Sequence, residues 1–88
     1  MLSYCCTSLG MAQAVALVGF PMDESIPIIK GPPPVDENSP EGAFAVMLVP
    51  PPDFQIDDYP SMTNDRGEQE WQIPAAVLNG FGRSIWPA

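Results

Sequence analysis

Gly42-Ala43-Phe44-Ala45-Val46-Met47-Leu48-Val49 is an uncharged, mostly apolar run set between Pro32-Pro33-Pro34 and Pro50-Pro51-Pro52. Its reading decides the fold. Ser39-Pro40-Glu41 just ahead has the marks of a helix start: a capping hydroxyl, proline at the first helical position and an acid in the first turn. Yet proline stops the apolar run after about two turns, and a helix that short is marginal unless it docks. As a strand, 43–49 has an ordinary length. Phe44, Val46 and Leu48 would then share one face, with Ala43, Ala45, Met47 and Val49 on the other. Both faces are apolar, as expected of a strand covered on both sides. Length and flanking prolines favour the strand.

Downstream, Phe54 and Ile56 alternate with Gln55 and Asp57 until Pro60 closes the segment. Thr63-Asn64-Asp65-Arg66-Gly67 is turn chemistry, because Asn and Asp tolerate turn geometry and Gly supplies a positive φ. Glu68-Gln69-Glu70-Trp71-Gln72-Ile73 is the cleanest amphipathic strand, with Trp71 and Ile73 on one face and Glu68, Glu70 and Gln72 on the other. Residues 54–73 therefore read as a β-hairpin with a long, irregular tip. Pro74-Ala75-Ala76-Val77-Leu78-Asn79-Gly80-Phe81 divides evenly between two readings. Asn79-Gly80 is a hairpin signal toward 81–86, and the same letters describe a short helix starting at Pro74.

Upstream, residues 21–41 read as a proline-rich acidic linker. Ser25-Ile26-Pro27-Ile28-Ile29-Lys30 is its one extended piece, suited to a sheet edge or a polyproline segment because Pro27 lacks a donor. Val35-Asp36-Glu37-Asn38-Ser39 reads as an acidic surface loop. Residues 1–22 carry no charge. Ala12-Gln13-Ala14 resembles a signal-peptidase site, but no basic residue precedes the apolar part and the most apolar stretch follows the supposed cut. A transmembrane helix would have to hold Gln13, two glycines and several hydroxyls, with no flanking positive charge. A buried or interface element is the preferred reading. Within it, 12–18 could be helix by its alanines or strand by its valines.

At 88 residues the chain has room for one small domain. A domain of this size is marginal alone and usually needs disulfides, a metal or a partner. Cys5 and Cys6 are adjacent and cannot staple distant segments, and there is no histidine for a zinc site. The formal net charge is -8, with Lys30, Arg66 and Arg83 the basic residues. Nucleic-acid binding needs clustered Lys and Arg, so it is excluded on charge, and an anionic membrane surface is disfavoured.

No catalytic constellation stands out. Without histidine the serines and thiols have no evident base, and the thiols sit in an uncharged stretch that would not lower their pKa. Asp53, Asp57, Asp58, Asp65, Glu68 and Glu70 could converge on a calcium ion or act as paired acids. Their spacing follows no calcium loop, and a solvated acidic face is the plainer reading. The proline triplets read as spacers rather than ligands for proline-reading domains.

The expectation is a mainly β chain with irregular proline-rich segments: a hairpin at about 54–73, a central strand at 43–49 and a short N-terminal helix as an option. The apolar runs are separated by stiff spacers, so a partly extended, non-compact chain is expected. The sequence divides into an apolar segment 1–20, a linker 21–41 and a β-rich part 42–88. The expected function is non-enzymatic and needs no cofactor: an accessory or cementing subunit docked on other protein subunits, as in a virion-type shell or multisubunit complex. Phe44, Phe54, Trp71, Phe81 and Trp86 are the candidate partner-binding anchors. The alternatives are a self-sufficient acidic β-rich binding or inhibitor module, and a small membrane-anchored subunit using residues 1–22.

Overall fold

The computed structural model describes residues 1–33 and 44–86. The acidic loop read at 35–39, the helix start at 39–41 and the first residue of the strand read at 43–49 lie outside the described residues. The elements in order are β1 (Leu2–Cys6), α1 (Leu9–Val18), β2 (Ser25–Lys30), β3 (Phe44–Val49), β4 (Ser61–Thr63), β5 (Gln69–Pro74), α2 (Ala75–Leu78) and β6 (Gly82–Trp86), with one 3-10 turn at Ile56–Asp58. The six strands form a single sheet in the order β4-β5-β2-β1-β3-β6. All its pairings are antiparallel.

The deciding run is a strand. β3 lies between β1 and β6, with Val46 opposite Tyr4 on one side and Ile85 on the other. It is covered on both faces as its apolar letters require: Val46 and Leu48 are buried on one face, Ala45 and Met47 on the other. Phe44, Val46 and Leu48 join Leu2, Tyr4 and Cys6 of β1, Ile26 and Ile28 of β2, Trp71 and Ile73 of β5 and Ile85 of β6 on the principal core face. α1 packs on the same face, over β1, β3 and β6. On the opposite face Ser3 is buried, and its hydroxyl donates to the Gly31 carbonyl, so its burial leaves no orphan donor.

The expectation of a partly extended, non-compact chain is corrected. The radius of gyration is 12.2 Å, against roughly 12 Å for a compact chain of this length. The apolar runs β2 and β3, consecutive in sequence, are not neighbours in the sheet. Antiparallel pairing joins each to a strand from further away: β1 meets β3, and β2 meets β5, across long sequence separations.

The hairpin is shorter than 54–73. Its strands are β4 and β5, paired Ser61–Trp71 to Thr63–Gln69. Residues 54–59 are no strand. The Phe54 N–H donates to Pro51 O at 3.1 Å, and the 3-10 turn carries the chain to Tyr59. Tertiary packing overrides the local alternation there, because Phe54 stacks on Tyr59 (centroids 5.7 Å) and meets Phe81 edge-on (4.9 Å). The Asn64–Gly67 turn forms as read: Asn64 Oδ1 accepts from the N–H groups of Arg66 (3.0 Å) and Glu68 (2.9 Å), and Gly67 takes φ 81°.

β2 is an interior strand, not the edge or polyproline segment that Pro27 suggested. The Gln72 N–H points away from β2, donating to Pro60 O at 2.9 Å. Pro27 is opposite Gln72, so this is a non-hydrogen-bonded pair and the missing donor of Pro27 faces β1. The β1–β2 register runs only through Leu2–Lys30 and Ser3–Ile29 and ends before reaching Pro27. For 74–81 the helix reading holds over the hairpin: α2 follows β5 directly, and β6 pairs with β3.

Candidate functional site

Among the described residues no cluster of His, Cys, Asp or Glu is arranged to hold a metal. A cleft of about 220 Å³ opens beside the β4–β5 turn, lined by Met62, Thr63, Asn64, Asp65, Arg66 and Glu70. Arg66 Nε pairs with Glu68 at 2.7 Å, and its Nη2 donates to Cys5 Sγ at 3.9 Å. Glu68 and Glu70 both approach the Asn64 amide, at 3.3 and 3.5 Å. Glu68 is thus paired with a guanidinium, while Glu70 also accepts from the Gln72 amide at 3.2 Å. Burial, then the neighbouring Cys5, pushes the Cys6 thiol up to about 11, so it stays protonated at neutral pH and is no nucleophile.

Of the candidate anchors, Phe44, Phe54, Trp71 and Phe81 all pack in or against the core, and Trp71 is buried beneath Lys30, whose Nζ lies 4.8 Å from its ring. Trp86 is set apart, half-buried on the opposite face, where it pairs with Ala45. The structure therefore packs four anchors in or against the core and, among the described residues, leaves the most exposed large apolar side chains, Val18 and Leu17, on α1.

α1 is built with clear boundaries. Ser8 is its N-cap, with extended backbone and an Oγ that accepts from the Met11 N–H at 3.1 Å. Gly19 ends it at φ 100°, and its N–H donates to Val15 O at 2.8 Å. No basic residue lies in the last turn; instead Arg83 reaches from β6 and donates to Ala16 O at 3.3 Å and to Asn79 O at 2.9 Å. The inner face is small. Ala12 is fully buried and Val15 and Ala16 half-buried, so the helix lies close on the sheet.

The outer face carries no charge, and Gln13 is its one polar side chain. Leu17 is 82% and Val18 85% exposed, with Leu9 and Met11 each at 43% and exposed Gly10, Gln13 and Ala14 between them. Single exposed leucines are ordinary, and here several exposed large apolar side chains share one uncharged helix. Sequence reasoning found this segment apolar but did not single out these residues. The signal was there: a helix without a single charge in any turn has no solvated face. Among the described residues no helix is long and apolar enough to cross a membrane.

Gly10 adds a second observation. A Cβ at this position would meet nothing within 4 Å, and its φ is an ordinary negative one. Neither the described neighbours nor the backbone conformation requires glycine there, yet glycine costs a helix up to ~1 kcal/mol relative to alanine.

No protein-family model, curated protein or solved structure matches this chain.

Proposed function

We propose that the chain is a non-enzymatic interaction subunit whose α1 makes a protein–protein contact within a larger assembly. The observation that carries this reading is the uncharged outer face of α1, with Leu17 and Val18 almost fully exposed. Burying such a pair stabilises a contact by about 1.5–3 kcal/mol per side chain. The proline-punctuated connections fit the role, since they lower the ordering cost of the loops around a docking surface.

The test is sedimentation of the tagged chain from its source cells. The expected result is a species far heavier than the 9.5 kDa chain, which a Leu17→Glu/Val18→Glu double variant returns to the small form. Both side chains point to solvent, so the variant folds normally. Unchanged sedimentation of the double variant would overturn the reading.

A second reading is a self-sufficient acidic binding module that blocks a basic site on another protein. It is favoured by one observation: the described strands share one hydrophobic core that includes Trp71, with Phe44 and Phe54 packed against it. Charge reversal at Asp57, Asp58, Glu68 and Glu70 would then slow association and remove its salt dependence. In the α1 reading the same changes leave assembly intact.

A further inference from the structure

In an unfolded chain the pair Asn79-Gly80 is chemically unstable, because the Gly80 nitrogen, unhindered by a side chain, can attack the Asn79 carboxamide and expel ammonia. The fold holds this attack off at the side chain and at the backbone. Asn79 Oδ1 accepts from the Phe20 N–H at 2.7 Å and Nδ2 donates to Phe20 O at 3.0 Å, so the carboxamide is turned toward the end of α1. In the peptide that would react, Asn79 O accepts from Arg83 Nη1 at 2.9 Å and the Gly80 N–H donates to Val77 O at 3.2 Å. The torsion agrees. The five-membered ring of the reaction needs the Gly80 nitrogen and Asn79 Cβ nearly eclipsed about the Cα–C bond, and the helical ψ of -15° holds them well apart.

Among the described residues nothing makes glycine obligatory at 80. Its φ is not positive, and a Cβ there would lie 3.5 Å from Val77 O, an ordinary contact. The lability of the pair is therefore not a by-product of turn geometry. Phe20 sets what the modification does. Its ring is buried edge-on to Tyr4, with centroids 5.1 Å apart, and its backbone N–H and C=O are the groups that Asn79 satisfies. A carboxylate at 79 has no N–H for Phe20 O and repels it. An isoaspartate also lengthens the main chain by one atom and shifts the carbonyl that Arg83 holds.

We infer that Asn79 is a self-modification site gated by the fold: intramolecular deamidation at Asn79-Gly80 waits on opening of the α1–α2 junction, and its product no longer closes that junction as before. Water is the only co-reactant. The Gly80 nitrogen gives up its proton to solvent and forms a bond to Asn79 Cγ. The Cγ–Nδ2 bond breaks, and ammonia leaves with a proton from water. Water then opens the succinimide. Attack at Cγ yields aspartate, and attack at the main-chain carbonyl yields isoaspartate. Either way one amide and one water become one acid and one ammonia, and the chain gains a negative charge. Time spent open is thus recorded irreversibly in the chain. The chemistry requires nothing of the outer face of α1, so it stands apart from the interaction reading.

The experiment incubates the purified full chain at mildly alkaline pH, folded in buffer and unfolded in guanidinium chloride, and follows position 79 by peptide-mapping mass spectrometry. Asn79 should deamidate roughly 100-fold faster in denaturant, since the folded chain reacts only from its open state. Gly80→Ala should slow the reaction in denaturant about tenfold, because a Cβ hinders the attacking nitrogen. That variant keeps the fold, as its Cβ has room. Arg83→Met should speed the folded-state reaction about tenfold by releasing the Asn79 carbonyl, and should leave the rate in denaturant unchanged. Chain deamidated in denaturant and returned to buffer should unfold at lower denaturant than untreated chain, the isoaspartate form lowest. The inference is overturned if Asn79 reacts as fast folded as unfolded, or if Gly80→Ala reacts at the parent rate in denaturant. It is equally overturned if Arg83→Met protects Asn79 as well as the parent chain does, or if deamidated and untreated chains share one unfolding midpoint.

Discussion

Asn79 holds the end of α1 by both ends of its side-chain amide. Its Oδ1 accepts from the Phe20 N–H at 2.7 Å and its Nδ2 donates to Phe20 O at 3.0 Å, so it copies a backbone pairing at a point where no strand runs. Phe20 is 4% exposed, and its amide has no ready access to water as a substitute. Asn79→Ala should therefore cost about 1–3 kcal/mol, read as a fall in the urea midpoint at unchanged slope. Asn79→Asp keeps the acceptor but sets a carboxylate against Phe20 O, so it should not rescue the loss. Gly19 belongs to the same junction: a Cβ there would lie 2.7 Å from Asn79 Oδ1, at φ 100°. Sequence reasoning took Asn79-Gly80 for a turn or a cap, and nothing local points from Asn79 to a backbone group 59 positions away. Cys6 supplies a pH prediction. Its thiol rises from 9.0 to about 11 on folding, chiefly by burial, and burial also raises Tyr4 from 10.0. The fold favours the protonated forms: the Cys6 contribution is whole below pH 9 and is lost as pH climbs from 9 to 11, and the Tyr4 contribution begins to be lost only as pH climbs past 10.0. Urea midpoints should fall across that window, and in Cys6→Ala, less stable at pH 7 for want of packing, they should fall less steeply.

At the level of elements, local pattern was informative wherever one face meets water. β5 was legible because Trp71 and Ile73 alternate with Glu70 and Gln72, and the structure buries the first pair and leaves the second half-exposed. β3 was legible by length and proline flanks. β1 was not picked out, although Leu2, Tyr4 and Cys6 do alternate with Ser3 and Cys5; with Ser3 buried as deeply as Cys6, no polar face announces the period. α1 stayed open between helix and strand for the same reason, having no charged turn to show a 3.6-residue period. Pro27 misled because the rule against interior proline concerns a donor's direction, and its missing donor points where the β1–β2 ladder has already ended. Arg83 is the link between elements that a linear reading least reveals. It joins the C-terminal carbonyls of α1 and of the α2 turn with one guanidinium, using Nε for Ala16 and Nη1 for Asn79. Arg83→Met should cost about 1–3 kcal/mol, since two carbonyls lose a charged donor. Arg83→Lys should recover less than half, because a single ammonium cannot span both acceptors in the geometry of a planar fork. Chemical denaturation of the three proteins at one pH gives the comparison.

Sheet order governs what the whole molecule can lose. The sequence divides by composition into an apolar start, a proline-rich middle and a β-rich remainder. The sheet interleaves these parts. β1 and β2 come from the first 30 residues, yet they lie between β5 on one side and β3 on the other. β1 is the strand that connects the β3–β6 pair to the rest, and its joint with β2 is narrow, formed by Leu2–Lys30 and Ser3–Ile29. Its side chains Leu2 and Cys6 also lie in the principal core, so deleting it exposes the flanks of Val46, Leu48 and Ile28 together. Removing residues 1–7 should therefore abolish the cooperative melt instead of merely lowering its midpoint, with loss of the near-UV signal of Trp71. The β4–β5 turn offers the contrasting case. Asp65 and Gly67 are exposed at its tip, and the strands it joins lie at the far edge of the sheet from β6. Two glycines inserted between Asp65 and Arg66 should lower the midpoint by only ~5 °C and keep a single transition. If the 1–7 deletion instead melted sharply with Trp71 still in an ordered environment, β2–β5 and β3–β6 would be separately stable, and β1 would be a lodger in the sheet instead of the strand that joins its halves.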